Sequence, residues 1–247
     1  MHQLAGVSKV NQPRHFVLGN ALTGERPRAA ERPARFSQMA LHRVLITVGP
    51  TREPIDPVRY IGNRSSGRMG QALAQAALDA GHSVTLIVGP VQFVMPPGVR
   101  RIDIETAAQM YDAVLDEFPS HDLLMMAAAV ADYRPIRVSP TKLAREGVLT
   151  IECEPTPDII AAAAKMRRPG QRIIGFSLES SGNLDRAREK LVRKNLDLIV
   201  FNPIQTMNSA QIEPTLLWRD GREEIVPIQG KEQFAKMLLK RASAMFP

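Results

Sequence analysis

Short hydrogen-bond donors and cations crowd one stretch of this 247-residue chain, from Arg59 to Gly70. Asn63, Ser65 and Ser66 offer an amide and two hydroxyls, Gly67 and Gly70 leave backbone N–H groups open to close approach, and Arg59 and Arg64 add positive charge. Donors grouped in this way suit an anion, above all a phosphate. Two phosphate signatures nearly fit. Gly62 and Gly67 have the spacing of a P-loop, but Arg68 stands where lysine belongs and Met69 where Ser or Thr would hold magnesium. A dinucleotide fingerprint needs its glycines directly after the first strand, where this chain has Gly49-Pro50-Thr51 and then a long excursion. Spacing alone leaves both a glycine-capped surface loop and a binding loop open.

The other chemistry-bearing residues are cations and carboxylates, not nucleophiles. No Ser/His/Asp order or H-E-x-x-H is present, and the five histidines are scattered. The single cysteine, Cys153, excludes an internal disulfide and a cysteine-based zinc cluster, fits a reducing compartment, and reads as core packing. Asp132, Lys142, Asp158, Lys190 and Lys194 remain, at or near the ends of predicted elements. They suit phosphoryl or nucleotidyl transfer by positioning and charge stabilisation. Taken singly, each has a plainer reading. Lys190 and Lys194 lie at i,i+4, which favours a solvated helix face, Asp158 reads as a first-turn dipole carboxylate and Asp132 as a turn residue.

The elements that must position these residues follow from apolar runs and their punctuation. Strands are predicted over 43–48 and 83–88, both buried, and over 101–105, 122–129, 149–153, 172–178 and 197–202. Helices are predicted over 67–82, from the Thr106/Gln109 capping box to Phe118, over a stretch containing 158–164, over 184–194 and over 231–246. The third of these reads as capped by Thr156 with Pro157 in its first turn. Leu73, Ala77 and Ala80 form the inner side of the first. Asp220-Gly221 signals a hairpin, and the polar, irregular stretch 136–147 reads as a flexible flap carrying Lys142 and Arg145. The predicted fold is α/β: a Rossmann-like, mostly parallel sheet with helices on both faces, plus a C-terminal antiparallel hairpin. Ligands of such sheets gather at the carboxyl ends of strands, where the residues above fall.

Hydrophobic residues make up 44% of the chain, but no apolar run reaches the roughly 18 residues of a membrane span. Residues 1–38 carry six basic and two acidic side chains, so +4 of the formal +7 charge belongs to them and only +3 to the rest. That distribution and the scarcity of aromatics argue against nucleic acid as a partner. Residues 1–41, broken by Pro13, Pro27 and Pro33, are expected to be a disordered tail ahead of one domain over 42–247. No secretory signal is apparent, and Met39 could be the start of translation.

The run Gly49-Pro50-Thr51-Arg52-Glu53-Pro54-Ile55-Asp56-Pro57-Val58-Arg59-Tyr60-Ile61, followed by Asn63-Arg64-Ser65-Ser66-Gly67, closely resembles the opening of phosphopantothenate–cysteine ligases of coenzyme A biosynthesis. Ala128-Ala129-Val130-Ala131-Asp132-Tyr133 resembles the family's A-A-V-A-D-[YFW] segment, and Lys142 falls on its flap lysine. Pro157-Asp158-Ile159 falls on its P-D-I turn, and Lys190 with Arg193-Lys194-Asn195-Leu196-Asp197 on its K-x-x-R-K-N-x-D run. The resemblance implies a cytoplasmic enzyme that joins 4′-phosphopantothenate and cysteine through an acyl-nucleotidylate, with CTP favoured over ATP and Mg²⁺ accompanying the triphosphate. Asn63, Lys142 and Arg59 would be catalytic. Ser65, Ser66, Gly67, Ala128 and Ala129 would hold the acid substrate. Met126, Ala127, Ala128, Asp132, Lys142, Pro157, Asp158, Ile159, Ile160, Phe176, Lys190 and Lys194 would hold the nucleotide.

The resemblance further implies a homodimer whose flaps cover neighbouring sites. The flavin-dependent decarboxylase often fused ahead of such domains has no room in 41 residues, so the expectation is no flavin and a separate decarboxylase acting downstream. Departures are visible: Lys142-Leu143-Ala144-Arg145 replaces K-x-K-K, Gly62 stands where serine is common, and Pro203 follows Asn202 where a polar residue is usual. The runner-up is an NAD(P)-binding Rossmann oxidoreductase, weakened by the missing G-x-G-x-x-G and Tyr-x-x-x-Lys. A non-catalytic nucleic-acid-binding protein is the third reading.

Overall fold

The computed structural model describes residues 42–179, 184–204 and 209–247. The expected tail over 1–41 and residues 180–182 of the turn after the 172–178 strand lie outside them. In chain order the elements are β1 (Arg43–Val48), β2 (Arg52–Pro54), β3 (Tyr60–Gly62), α1 (Arg68–Asp79), β4 (Ser83–Val88), β5 (Arg100–Asp103) and α2 (Ala107–Glu117). Then come β6 (Leu123–Met126), β7 (Tyr133–Pro135), β8 (Cys153–Pro155), α3 (Ile159–Met166), β9 (Arg172–Glu179), α4 (Leu184–Arg193) and β10 (Leu198–Pro203). The chain closes with β11 (Gln211–Ile212), β12 (Thr215–Trp218), β13 (Glu223–Ile225), β14 (Gln229–Gly230) and α5 (Lys231–Ser243).

The main sheet runs β13-β12-β10-β9-β6-β1-β4-β5, parallel from β10 to β5 and antiparallel where β12 and β13 are added at one edge. Its inner strands β1, β4, β6 and β10 are buried on both faces, which is why they read as continuous apolar runs, whereas the edge strands β5 and β13 are largely exposed. β1 shows the division. Val44, Ile46 and Val48 point to the core beneath α1 and α5, with Leu73, Phe234 and Leu238, whereas Leu45 points to the core shared by α2, α3 and α4, with Met110, Ile159 and Leu191. The expected α/β architecture with helices on both faces is therefore present. The Asp220-Gly221 hairpin is too, with Gly221 at φ 89°. So is the capping box, in which Thr106 accepts from the Gln109 N–H and Gln109 reaches back.

The amino edge of the sheet is closed by the chain's own end. Phe246 stacks on His42, ring centroids 4.1 Å apart, and the Arg172 guanidinium lies 5.5 Å from the same ring while its Nε donates to the Met245 carbonyl.

Several expectations are corrected. The 122–129 strand ends at Met126, because the Ala127 and Ala129 N–H groups turn to the Met125 and Gly49 carbonyls. The 149–153 strand is absent. With Val148 94% and Leu149 53% exposed, that alternation has no face to bury, and the chain pairs later, as β8 on β7. That two-stranded ribbon leaves Cys153 exposed, not in the core. Thr156 does not cap α3 either: its hydroxyl donates to the Ala131 carbonyl at 2.6 Å, while Asp158, one residue beyond Pro157, accepts from the Ala161 N–H. Ala80 is exposed beyond the end of α1. The loop after β1 also contains a hairpin, β2–β3, that its turn-forming composition hid.

Candidate active site

Two loops at the carboxyl ends of β1 and β6 are tied to each other before any ligand is considered. The Thr51 hydroxyl accepts from the Ala131 N–H at 2.9 Å, the Thr51 N–H donates to the Ala129 carbonyl, and the Thr47 hydroxyl accepts from the Ala128 N–H at 3.2 Å. Thr47 and Thr51 are fully buried, so these bonds replace water and fix the loops' relation to each other. Glu53, 2% exposed, receives the Ala107 N–H at 2.8 Å and so places a carboxylate on the positive end of α2.

On this base Asn63 is oriented: its Nδ2 donates to the Val130 carbonyl at 2.8 Å, so β1's loop aims an amide across β6's loop. Gly67 opens α1 at φ 73°, and a Cβ there would come within 2.8 Å of Val91 Cγ1, so glycine is required twice over.

These loops line a cavity of about 930 Å³. Its walls carry Asn63, Ser65, Ser66 and Gly67 from the first loop and Met126, Ala127, Ala128, Ala129 and Asp132 from the second. Pro157, Asp158, Ile159 and Ile160 come from the start of α3, Phe176 from β9, and Lys190 and Lys194 from α4. The two lysines are held at the cavity. Lys190 Nζ donates to the Phe176 carbonyl at 3.1 Å, and Lys194, 15% exposed, lies 2.9 Å from the Asp158 carboxylate. A solvated helix face is not what the fold makes of this pair.

Arg59 and Lys142 do not line the cavity. Arg59 is engaged elsewhere: Nε and Nη2 meet the Asp56 carboxylate, and Nη2 also donates to the Leu143 carbonyl at 2.7 Å. Asp56 accepts in addition from the Val58, Arg59 and Leu143 N–H groups. Burial works against its charge, but these bonds outweigh it and hold the carboxyl far below the usual carboxylate range. The Asp56–Arg59 pair thus pins the base of the flap at Leu143, while Lys142 beside it is exposed.

Sequence reasoning missed three lining residues with charge or unmet polarity: Arg68, Asn202 and Lys231. The Asn202 side-chain oxygen is buried without a partner among the described residues. Lys231 is partly buried, and burial, reinforced by the charge of Arg68, pushes its ammonium below the usual lysine range. The signal available for Lys231 was a cation on the first residue of a helix that follows a glycine; it was read only for its apolar stripe.

Residues 39–245 match the protein family described as the DNA/pantothenate metabolism flavoprotein C-terminal domain. The chain belongs to this family. It is 44% identical over 204 residues to the coenzyme A biosynthesis bifunctional protein CoaBC of Vibrio cholerae, an alignment covering 80% of this chain and 51% of that protein. The chain thus spans about half the length of the curated relatives it matches. The crystal structure of the C-terminal domain of a coenzyme A biosynthesis bifunctional protein CoaBC superposes with a TM-score of 0.74 at 36% identity, covering 84% of this chain and 97% of that one. A Cab2 mutant in complex with phosphopantothenate-cysteine shares the fold, with a TM-score of 0.69 at 19% identity over 82% of this chain and 85% of that one. The cavity therefore sits within the part of the chain that matches this family.

Proposed function

We propose that this chain joins 4′-phosphopantothenate to cysteine at the cost of a nucleoside triphosphate; relatives named for coenzyme A biosynthesis and a fold neighbour in complex with phosphopantothenate-cysteine support the reading. The observation that carries this reading is one cavity whose walls combine the Asn63 amide, the Asp132 carboxylate and the Lys190 and Lys194 ammoniums. An unactivated carboxylate is a poor acyl donor. Its attack on the α-phosphate forms an acyl–phosphate bond and expels pyrophosphate; the cysteine amine then attacks the acyl carbon, forming the amide and releasing the nucleoside monophosphate. Such a sequence needs fixed donors and cations, not a protein nucleophile.

Asn63 would hold the reacting carboxylate and Ser65, Ser66 and the Gly67 backbone the body of the acid, while Ala128 and Ala129 form a close floor. Asp132, Phe176 and the Asp158 turn would receive the nucleotide, and Lys190 and Lys194 its phosphates. CTP is the nucleotide we favour. Magnesium would arrive on the triphosphate, and of the wall's carboxylates Asp132 would be the one to meet it, since Asp158 is paired with Lys194. It would neutralise phosphate charge there. Lys142 would reach a site from the flap of a second copy, with Arg59 holding that flap, so the working form would be a homodimer. The decarboxylase that consumes the product would be another chain or another domain.

A pyrophosphate-release assay tests the reading. Release with CTP and 4′-phosphopantothenate that slows at one turnover without cysteine, and runs on with it, is expected. Tight NADPH binding with no response to CTP or ATP would instead indicate an oxidoreductase.

A further inference from the structure

Threonine hydroxyls hold the backbone that follows β6. Thr47 accepts from the Ala128 N–H at 3.2 Å, Thr51 accepts from the Ala131 N–H at 2.9 Å, and Thr156 donates to the Ala131 carbonyl at 2.6 Å. Ala131, 2% exposed, thus has both its backbone polar groups on threonine side chains, one from the loop after β1 and one from the segment between β8 and α3. A hydroxyl serves at either end because it both gives and takes a hydrogen bond, and the branched Cβ leaves it few rotamers in which to wander. Thr156 adds its own N–H, which donates to the Asp132 carbonyl at 2.9 Å.

The neighbours of Ala131 on either side, Val130 and Asp132, both line the cavity. The peptide unit between Val130 and Ala131 is planar, so its N–H and its C=O turn together. Thr51 holds the N–H, and the C=O is the acceptor that sets the Asn63 amide at 2.8 Å. One Nδ2 hydrogen of Asn63 is used in this way, and the other, with the side-chain oxygen, is left for a ligand. The next peptide unit, held at its C=O by the Thr156 hydroxyl, leads into Asp132. Turning the first unit takes the acceptor away from Asn63; turning the second re-aims Asp132. Thr51 is fully buried and does not line the cavity, so it acts on a ligand there through Ala131. Thr156 lines the cavity, with its hydroxyl already given to the Ala131 carbonyl.

We propose that Thr51 and Thr156 are positioning residues: by clamping the two peptide units that meet at Ala131, they fix the Asn63 amide and the backbone of Asp132 relative to each other across the cavity. What is positioned rests on the ligase reading, in which Asn63 meets the acid and Asp132 the nucleotide. The clamp itself rests on geometry alone.

Valine keeps the branched shape of threonine without the hydroxyl, and serine restores the hydroxyl. In the ligand-free full chain, Thr51→Val is expected to move the Asn63 side-chain amide proton signals in an NMR spectrum toward those of free asparagine, and Thr51→Ser to leave them near their wild-type positions. In pyrophosphate release with CTP, 4′-phosphopantothenate and cysteine, each valine variant is expected to lower kcat by about tenfold with KM values within about threefold, and each serine variant to recover most of the loss. Added to Asn63→Ala, Thr51→Val should cost less than about twofold more, because the amide that it positions is already gone. Thr156→Val added to Asp132→Ala should behave likewise, which keeps the test open if Thr51→Val does not fold. Full further losses in these combinations would make the threonines merely structural and overturn the proposal, as would unmoved Asn63 signals in Thr51→Val. Moved signals in a protein whose wild type releases no pyrophosphate with any nucleotide would sink the ligase reading and leave the clamp standing.

Discussion

The Asn63 side chain is where the proposed chemistry meets the fold. Its amide is set by the Val130 carbonyl at 2.8 Å and lies on the surface of the cavity, so it can be changed without opening a core. Asn63→Asp removes the donor and sets a negative charge against a carboxylate substrate. We expect pyrophosphate release to fall by about 10²-fold with the melting temperature within a degree or two of wild type. Lys142→Gln on the exposed flap should likewise fold normally and suppress release; wild-type turnover in either variant removes the role given to that residue. Asn63 could be singled out because it stands inside a long specified run and it lines the cavity, whereas Lys142 rested on a single flap position and lies outside the cavity. Lys231 could not be singled out, since a lysine starting an amphipathic helix has an ordinary appearance until the fold sets Arg68 beside it and withholds every counter-charge among the described residues.

Among the elements, the parallel strands and their helices could be read from sequence because burial on both faces leaves little else for runs such as Val44–Val48 or Val84–Val88 to do. The ends of elements were harder. Whether Thr156 or Asp158 caps α3 depends on a competing acceptor, the Ala131 carbonyl, on a loop 25 residues away. The 149–153 alternation failed as a strand because no tertiary partner covers it, which no local pattern reports. The tight seam between α1 and β1 offers a test at this scale. A Cβ on Gly70 would lie 2.7 Å from Val48 Cγ2, and both residues are buried, so Gly70→Ala forces the helix off the strand. A destabilisation of about 1–3 kcal/mol is expected, several degrees in the thermal midpoint. An unchanged midpoint would mean that the seam is looser than its geometry.

At the scale of the whole molecule, assembly and acidity are the measurable properties. If flaps serve neighbouring cavities, specific activity should fall on dilution through the dimer dissociation constant, in step with the monomer fraction seen by sedimentation; activity independent of association would refute shared sites. Acidity acts through His82, 4% exposed, whose Nδ1 accepts from the His42 N–H while its Nε2 lacks a partner among the described residues. Burial, with His42 adding to it, lowers its pKa below the usual 6.5. The folded chain then binds fewer protons here than the unfolded one. This contribution to stability is complete above about pH 6.5 and is lost as pH falls through the lower folded value. His82→Gln should flatten the dependence of the melting temperature on pH in that window, and an unaltered slope would assign it to other groups. The stacking of Phe246 on His42 has a practical corollary. Because residues 245 and 246 clasp the amino ends of the strands while the cavity lies at the opposite ends, a tether attached through a spacer after Pro247 would present the cavity outward on a sensor surface; deleting Phe246 and Pro247 would loosen that grip first and the proposed activity only second.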